Sequence, residues 1–260
     1  MSRSARAQSV SRESAAGIAT LTLQRSHKRN ALSAALVGEL RAALAEADAD
    51  GSIRVIAIQG AGTDFCAGAD LEEIAATQTR GLEAGLTDAR HLGALFREIR
   101  QASRPVVAIV RGRALGGGCG LATACDLVLA SETATFGYPE VHLGFVPALV
   151  MALLKRKVGE SAAFELAVRG HRIDAAEAAS IGLVTRVLPD EGFGPAVDRY
   201  LRDLARRPPG AVALTKRLFY DIEGADFADA IARGAEVNAA ARLSDECRDG
   251  VRRFLRKRGD

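Results

Sequence analysis

Residues 104–131 read RPVVAIVRGRALGGGCGLATACDLVLAS. Pro105 stops whatever helix precedes it. The unbroken run 106–110, rich in β-branched residues, has the pattern of a strand covered on both faces. A glycine-rich loop over 111–118 feeds a short helix of small residues, 119–124, and 126–130 is apolar again. Buried strand, crossover and buried strand make a parallel unit with a right-handed connection. The fold class this predicts is α/β.

Outward from this unit the alternation continues. Upstream, 17–23 and 53–58 read as strands, and Ser33 can cap a helix whose apolar residues Leu36, Val37, Leu40 and Leu44 recur at helical spacing. A further helix covers 82–99, and a glycine-punctuated loop spans 60–70. Downstream of Ala148 the chain reads mostly helical, broken at Gly159, Gly170, Gly182 and Pro208-Pro209, with a short strand near 184–188. The first residues are rich in Ser and Arg and carry no acid before Glu13, with a faint transit-peptide flavour but no apolar segment. Residues 1–16 are read as a flexible tail.

Composition sets the outer limits. A chain of 260 residues with 48% hydrophobic residues can bury a large core, so disorder is excluded as the dominant state. No stretch reaches the roughly 18 consecutive apolar residues of a membrane helix. The net charge of +3 is confined. Residues 1–241 hold 28 basic and 28 acidic side chains, whereas 242–260 hold 7 basic and 4 acidic ones. A neutral body argues against a general DNA or RNA surface, while a confined basic cluster suits a small anion. The four cysteines, Cys66, Cys119, Cys125 and Cys247, form no CxxC pair and are read as reduced, buried residues of a cytoplasmic protein.

Familiar catalytic motifs are missing: there is no GxGxxG, GxxxxGK[ST] or GxSxG. His27, His91, His142 and His171 stand far apart, so no metal site is indicated. Two loops remain, 65–70 and 115–119, each following a strand and entering a helix. Loops at the carboxyl ends of neighbouring parallel strands face one crevice. Two outward N–H groups converging there on one oxygen would make an oxyanion hole. The triple glycine 116–118 is equally what tight helix packing would demand.

Four strings then carry a specific resemblance: HKRNALS (27–33), VIAIQGAGTDFCAGADLEE (55–73), the stretch 104–131, and FGYPEVHLGFVP (136–147). Together they resemble the crotonase family of enoyl-CoA hydratases and isomerases, over nearly the whole chain after residue 17. The resemblance implies a ββα spiral core over 17–195 and a helical region over 196–260 that forms oligomers and touches CoA. It implies a homotrimer or homohexamer, an acyl-CoA thioester substrate, and no cofactor beyond the CoA carried by that substrate. The oxyanion donors it implies are the backbone N–H groups of Ala69 and Gly117. Binding residues carried over with them are Lys28, Arg29, Ala31, Gly68, Asp70, Leu71, Gly116, Phe254 and Lys257. Residues 74–95 are where the variable wall of the acyl pocket is expected.

The family's hydratases use two glutamates, and here the pattern is broken. Glu140, after Pro139, matches the second and is expected to be the general acid/base, with Tyr138 and His142 flanking it; Gly120 stands where the first would be. One carboxylate suits an isomerase, yet branched-acyl hydratases resembling the methylglutaconyl-CoA type also carry Gly at this position. Hydration of a 2-enoyl-CoA is the preferred expectation and isomerisation of a 3-enoyl-CoA the alternative. Thioester hydrolysis and a non-catalytic RNA-binding role rank below both.

Overall fold

The structure is a computed structural model, and it describes residues 8–256. Strands β1 (Val10–Ala15) and β2 (Ile18–Leu23) form a hairpin, followed by helix α1 (Ala34–Ala49), β3 (Val55–Gly60), α2 (Leu71–Arg80) and α3 (Leu82–Gln101). Then come β4 (Val106–Val110), β5 (Arg113–Leu115), α4 (Gly117–Ala124), β6 (Leu127–Ser131) and β7 (Thr135–Gly137). The remainder is α5 (Ala148–Val158), α6 (Glu160–Arg169), β8 (Arg172–Asp174), α7 (Ala175–Ser180) and β9 (Arg186–Leu188), closing with α8 (Phe193–Ala205), α9 (Pro209–Asp221), α10 (Phe227–Arg242) and α11 (Asp245–Arg256).

Six strands make the main sheet in the order β1-β2-β3-β4-β6-β9, parallel throughout except for the β1–β2 hairpin. The apolar runs of β3, β4 and β6 are unbroken because both faces are covered. Ile56, Ile58, Val106, Ala108, Val110, Val128 and Ala130 join the main core with Leu36, Leu40, Leu95 and Ile99. Val55, Ala57, Val107, Ile109 and Leu129 face the other way, onto Phe193, Val197 and Leu201 of α8. Ser33 caps α1 as expected, its Oγ accepting the Leu36 N–H at 3.2 Å.

A second sheet of β5, β7 and β8 stands beside the main one, with β5–β7 parallel and β7–β8 antiparallel. Its strands are three residues long, too short for a periodic pattern to show in the sequence.

The flexible tail over 1–16 needs correction. Residues 10–15 are strand β1, in register from Val10 opposite Leu23 to Ala15 opposite Ile18. Only Val10 is buried in it, so this edge strand is polar like a tail and is recognisable only by its partner. The Glu39 carboxylate accepts the Ser9 and Val10 N–H groups at 2.6 and 3.1 Å and fixes its start. Residues 1–7 lie outside the described part. The cysteine expectation also changes in one place: Cys66, Cys119 and Cys125 are buried, but Cys247 is partly exposed.

Candidate active site

Two isolated backbone bridges align the loops that the sequence singled out. Leu32 pairs with Ala69, and Cys66 pairs with Ala114. In the first, the Leu32 N–H donates to Gly68 O at 2.8 Å and the Asp70 N–H to Leu32 O at 3.1 Å. This pattern skips the amide of Ala69. Gly117, at the first position of α4, has no carbonyl one turn earlier to receive its own N–H. Among the described residues neither amide donates to a protein acceptor.

The two amides are neighbours. A Cβ placed on Gly117 would lie 3.8 Å from Ala69 N, and one on Gly68 would lie 3.6 Å from Gly117 N. Leu32 and Leu92 flank them, their terminal carbons 3.4 and 3.8 Å from that same Gly117 position. Apolar walls keep the local dielectric low, which strengthens any bond the two N–H groups make to an oxygen.

Glu140 sits at the start of a 3-10 turn, Pro139–Leu143, which follows β7. Its carboxylate rests on Gly116: Oε1 is 2.9 Å from where a Cβ of that residue would stand. Oε2 is buried without a hydrogen-bond partner. Burial with no compensating cation pushes the Glu140 carboxyl above the usual glutamate range, so it holds and releases a proton closer to neutral pH.

Tyr138 and His142 do not serve this carboxylate. The Tyr138 hydroxyl is buried against Thr123 Oγ1 at 2.8 Å, and His142 Nε2 lies 3.1 Å from Gly170 O. Nor are the thiols nucleophiles. Burial pushes Cys66 up to about 12 and Cys119 up to about 11.

The remaining expected residues divide. Gly68, Asp70 and Leu71 adjoin Ala69 in the chain and Ala31 precedes Leu32, which bridges to it, but the Asp70 carboxylate is already engaged. It accepts from Arg25 Nη2 at 2.8 Å and caps α2 through the Glu72 N–H at 3.1 Å. Burial opposes its ionisation, yet these partners hold the carboxyl below the usual aspartate range. Leu71 is 58% exposed beside it. Lys28 and Arg29 are exposed, and Lys28 is paired with Glu72. Phe254 lies exposed on α11, whose main packing partners are α9 and α10; Lys257 lies outside the described residues.

Sequence reading missed Arg25 and Asn30. Arg25 bonds both Ala31 O, at 2.6 Å, and Asp70. Asn30 is fully buried at φ +57°, and its amide nitrogen donates to Ala61 O and Asp64 O. A polar residue inside the NAL of HKRNALS was the available signal.

Two amides without a protein acceptor beside a single half-buried carboxylate, on this α/β fold, are what a reaction that builds negative charge on a carbonyl oxygen would need. The family model described as enoyl-CoA hydratase/isomerase matches residues 13–260, and the chain belongs to that family. It is 36% identical to the mevalonyl-coenzyme A hydratase sidH of Aspergillus fumigatus, over 93% of this chain and 89% of that protein. Identity is 35% to the 2,3-dehydroadipyl-CoA hydratase of Escherichia coli, over 92% of each. The solved structure of AtuE from Pseudomonas aeruginosa superposes with a TM-score of 0.91 at 36% identity, covering 96% of this chain and 97% of that one.

Proposed function

We propose that the protein is an enoyl-CoA hydratase that adds water reversibly to a 2-enoyl-CoA, with Glu140 as the single general acid/base. The observation that carries this reading is the Glu140 carboxylate, half-buried, with Oε2 buried and unpaired and Oε1 resting on Gly116, next to the two amides that no protein acceptor takes. Glu140 takes a proton from water as the hydroxyl oxygen bonds to C3. The C2=C3 electron pair moves onto the thioester oxygen, held by the Ala69 and Gly117 N–H groups. Protonated Glu140 then returns the proton to C2 as the enolate collapses, and the carboxylate is restored.

A 3-methyl-branched acyl group is the favoured substrate. The relative named for mevalonyl-coenzyme A supports this, since that acyl group carries a branch at C3. Isomerisation of a 3-enoyl-CoA is the second reading, supported by the single carboxylate, which can take and return one proton. We place CoA against the loop of Lys28, Arg29 and Ala31 and against Phe254 and Lys257 of a C-terminal region that assembles three or six copies. The cytoplasm is the proposed location; among the described residues no helix is long and apolar enough to cross a membrane.

The test incubates the enzyme separately with crotonyl-CoA, 3-methylglutaconyl-CoA and a 3-enoyl-CoA and follows the conjugated-thioester absorbance. Loss with either of the first two is expected for a hydratase. A gain with the third, and no loss with the others, gives the isomerase. Glu140→Gln should abolish all turnover and leave acyl-CoA binding nearly unchanged; retained turnover removes Glu140 from the mechanism.

A further inference from the structure

Gly116 and Gly120 stand one turn apart: Gly116 caps the N-terminus of α4, and its carbonyl accepts the Gly120 N–H at 2.9 Å. Glu140 rests on the first of them, and the ground above the second is taken. A Cβ at Gly120 would fall 2.2 Å from Val150 Cγ1 and 3.2 Å from Phe96 Cζ. Val150 comes from α5 and Phe96 from α3, and both are buried. Leu92, one turn before Phe96, extends the same apolar lining to Gly117. Glycine at 120 is therefore a packing requirement, set by a side chain thirty residues away.

We propose that Val150 is a specificity-determining residue of this site: its methyl group fills the space directly above position 120, which a carboxylate carried there would have to enter to stand beside Glu140. The site is thereby held to one proton-moving group and offers hydrocarbon where a second acid would stand. Branching near C3 then meets Val150, Phe96 and Leu92. The inference rests on the reading of Glu140 as the acid/base.

The geometry names the compensating change. Val150 Cβ is 3.4 Å from the Gly120 Cβ position, so Val150→Ala removes the severe overlap and leaves the Phe96 ring, at 3.2 Å, to give by a few tenths of an ångström. Parent, Gly120→Glu, Val150→Ala and the double variant are compared for melting temperature, crotonyl-CoA hydration and its pH profile. Gly120→Glu alone should melt lower than the parent and hydrate no faster. The double variant should regain melting temperature over that single variant and hydrate crotonyl-CoA about a hundredfold faster than the parent or better, the low side of what one positioned acid/base contributes. Its pH profile should gain a second ionisation.

The proposal is overturned if Gly120→Glu folds and reacts as the double variant does. It is equally overturned if the double variant is folded and binds acetyl-CoA but shows neither rate gain nor altered profile. Should the charged pair fail to fold, Gly120→Ala and Gly120→Ala/Val150→Ala put the steric question without a buried charge. A lower melting temperature for the single variant, recovered in the pair, is expected, and equal melting overturns the proposal. A parent inert toward every enoyl-CoA sinks the reading of Glu140 instead. The two failures are told apart because the melting coupling between 120 and 150 needs no substrate.

Discussion

Three consecutive glycines at the start of α4 stand in three different surroundings. Gly116 gives the floor under Glu140, Gly117 gives an amide, and Gly118 lets α4 seat on the first loop. A Cβ at 118 would lie 2.3 Å from the Cys66 carbonyl oxygen, which is itself bonded to the Leu115 N–H. Gly118→Ala should therefore destabilise by about 1–3 kcal/mol or more, the usual cost of overpacking against backbone, read as a lower denaturation midpoint. An unchanged midpoint would mean that the two loops are not tightly locked. The packing reading of the triple glycine thus holds at Gly118, the oxyanion reading belongs to Gly117 as a proposal, and nothing in a run of identical letters could divide them. Glu140 was legible from the sequence, but its isolation was not, because that depends on what β7 and α4 fail to bring near it. Its raised pKa has a definite sign. The fold keeps the proton to a higher pH than the unfolded chain does, so stability falls as pH rises from the ordinary glutamate range through the raised value. Glu140→Gln removes that titration. The stability difference between the variant and the parent should vary with pH only across this window and become constant below it.

At the scale of elements, the site is a junction between the 24–32 segment, the loop before α2 and the loop before α4. Arg25 clasps two of them by bonding Ala31 O and Asp70 together. Arg25→Met would strand a buried carboxylate one residue from the Ala69 amide. We expect a loss of about 2 kcal/mol in stability, in the range for hydrogen bonds to charged groups, with a raised KM for acyl-CoA. Asp70→Asn in the Arg25→Met background should recover much of the stability, since the side chain keeps an oxygen for the Glu72 N–H. Failure to recover would place the cost elsewhere. The Asp70 contribution is present above the ordinary aspartate range and lost as pH falls through its lowered value. The strands and α1 of this junction were readable because they carry burial patterns. The clasp was not, since Arg25 and Asp70 are 45 residues apart and only the parallel register of β2 and β3 makes them meet.

For the whole molecule, the question is what the C-terminal helices are for. Helix α9 is pinned to the core: Lys216 Nζ donates to Ile99 O and Arg104 O and pairs with Asp126, which also accepts the Tyr220 hydroxyl. Beyond it, α10 and α11 bury none of their described residues. Phe227 is 83% and Ile231 59% exposed, four residues apart on one face of α10, and Leu243, Val251 and Leu255 are exposed beyond them. Exposed apolar side chains on two successive helices mark a face that a partner could cover, and the charge excess that stood out in composition lies at its end. A second copy covering this face would both bury it and bring the basic end to a neighbour's CoA site. Light scattering should then give three or six copies for the parent, and Phe227→Asp with Ile231→Asp should shift it toward monomer. Deleting residues 253–260 should raise KM for CoA thioesters while leaving kcat near the parent value, because Glu140 and both amides stay in place. If the parent runs as a monomer, the C-terminal helices do not assemble the protein; if the deletion lowers kcat and leaves KM alone, they do not hold CoA.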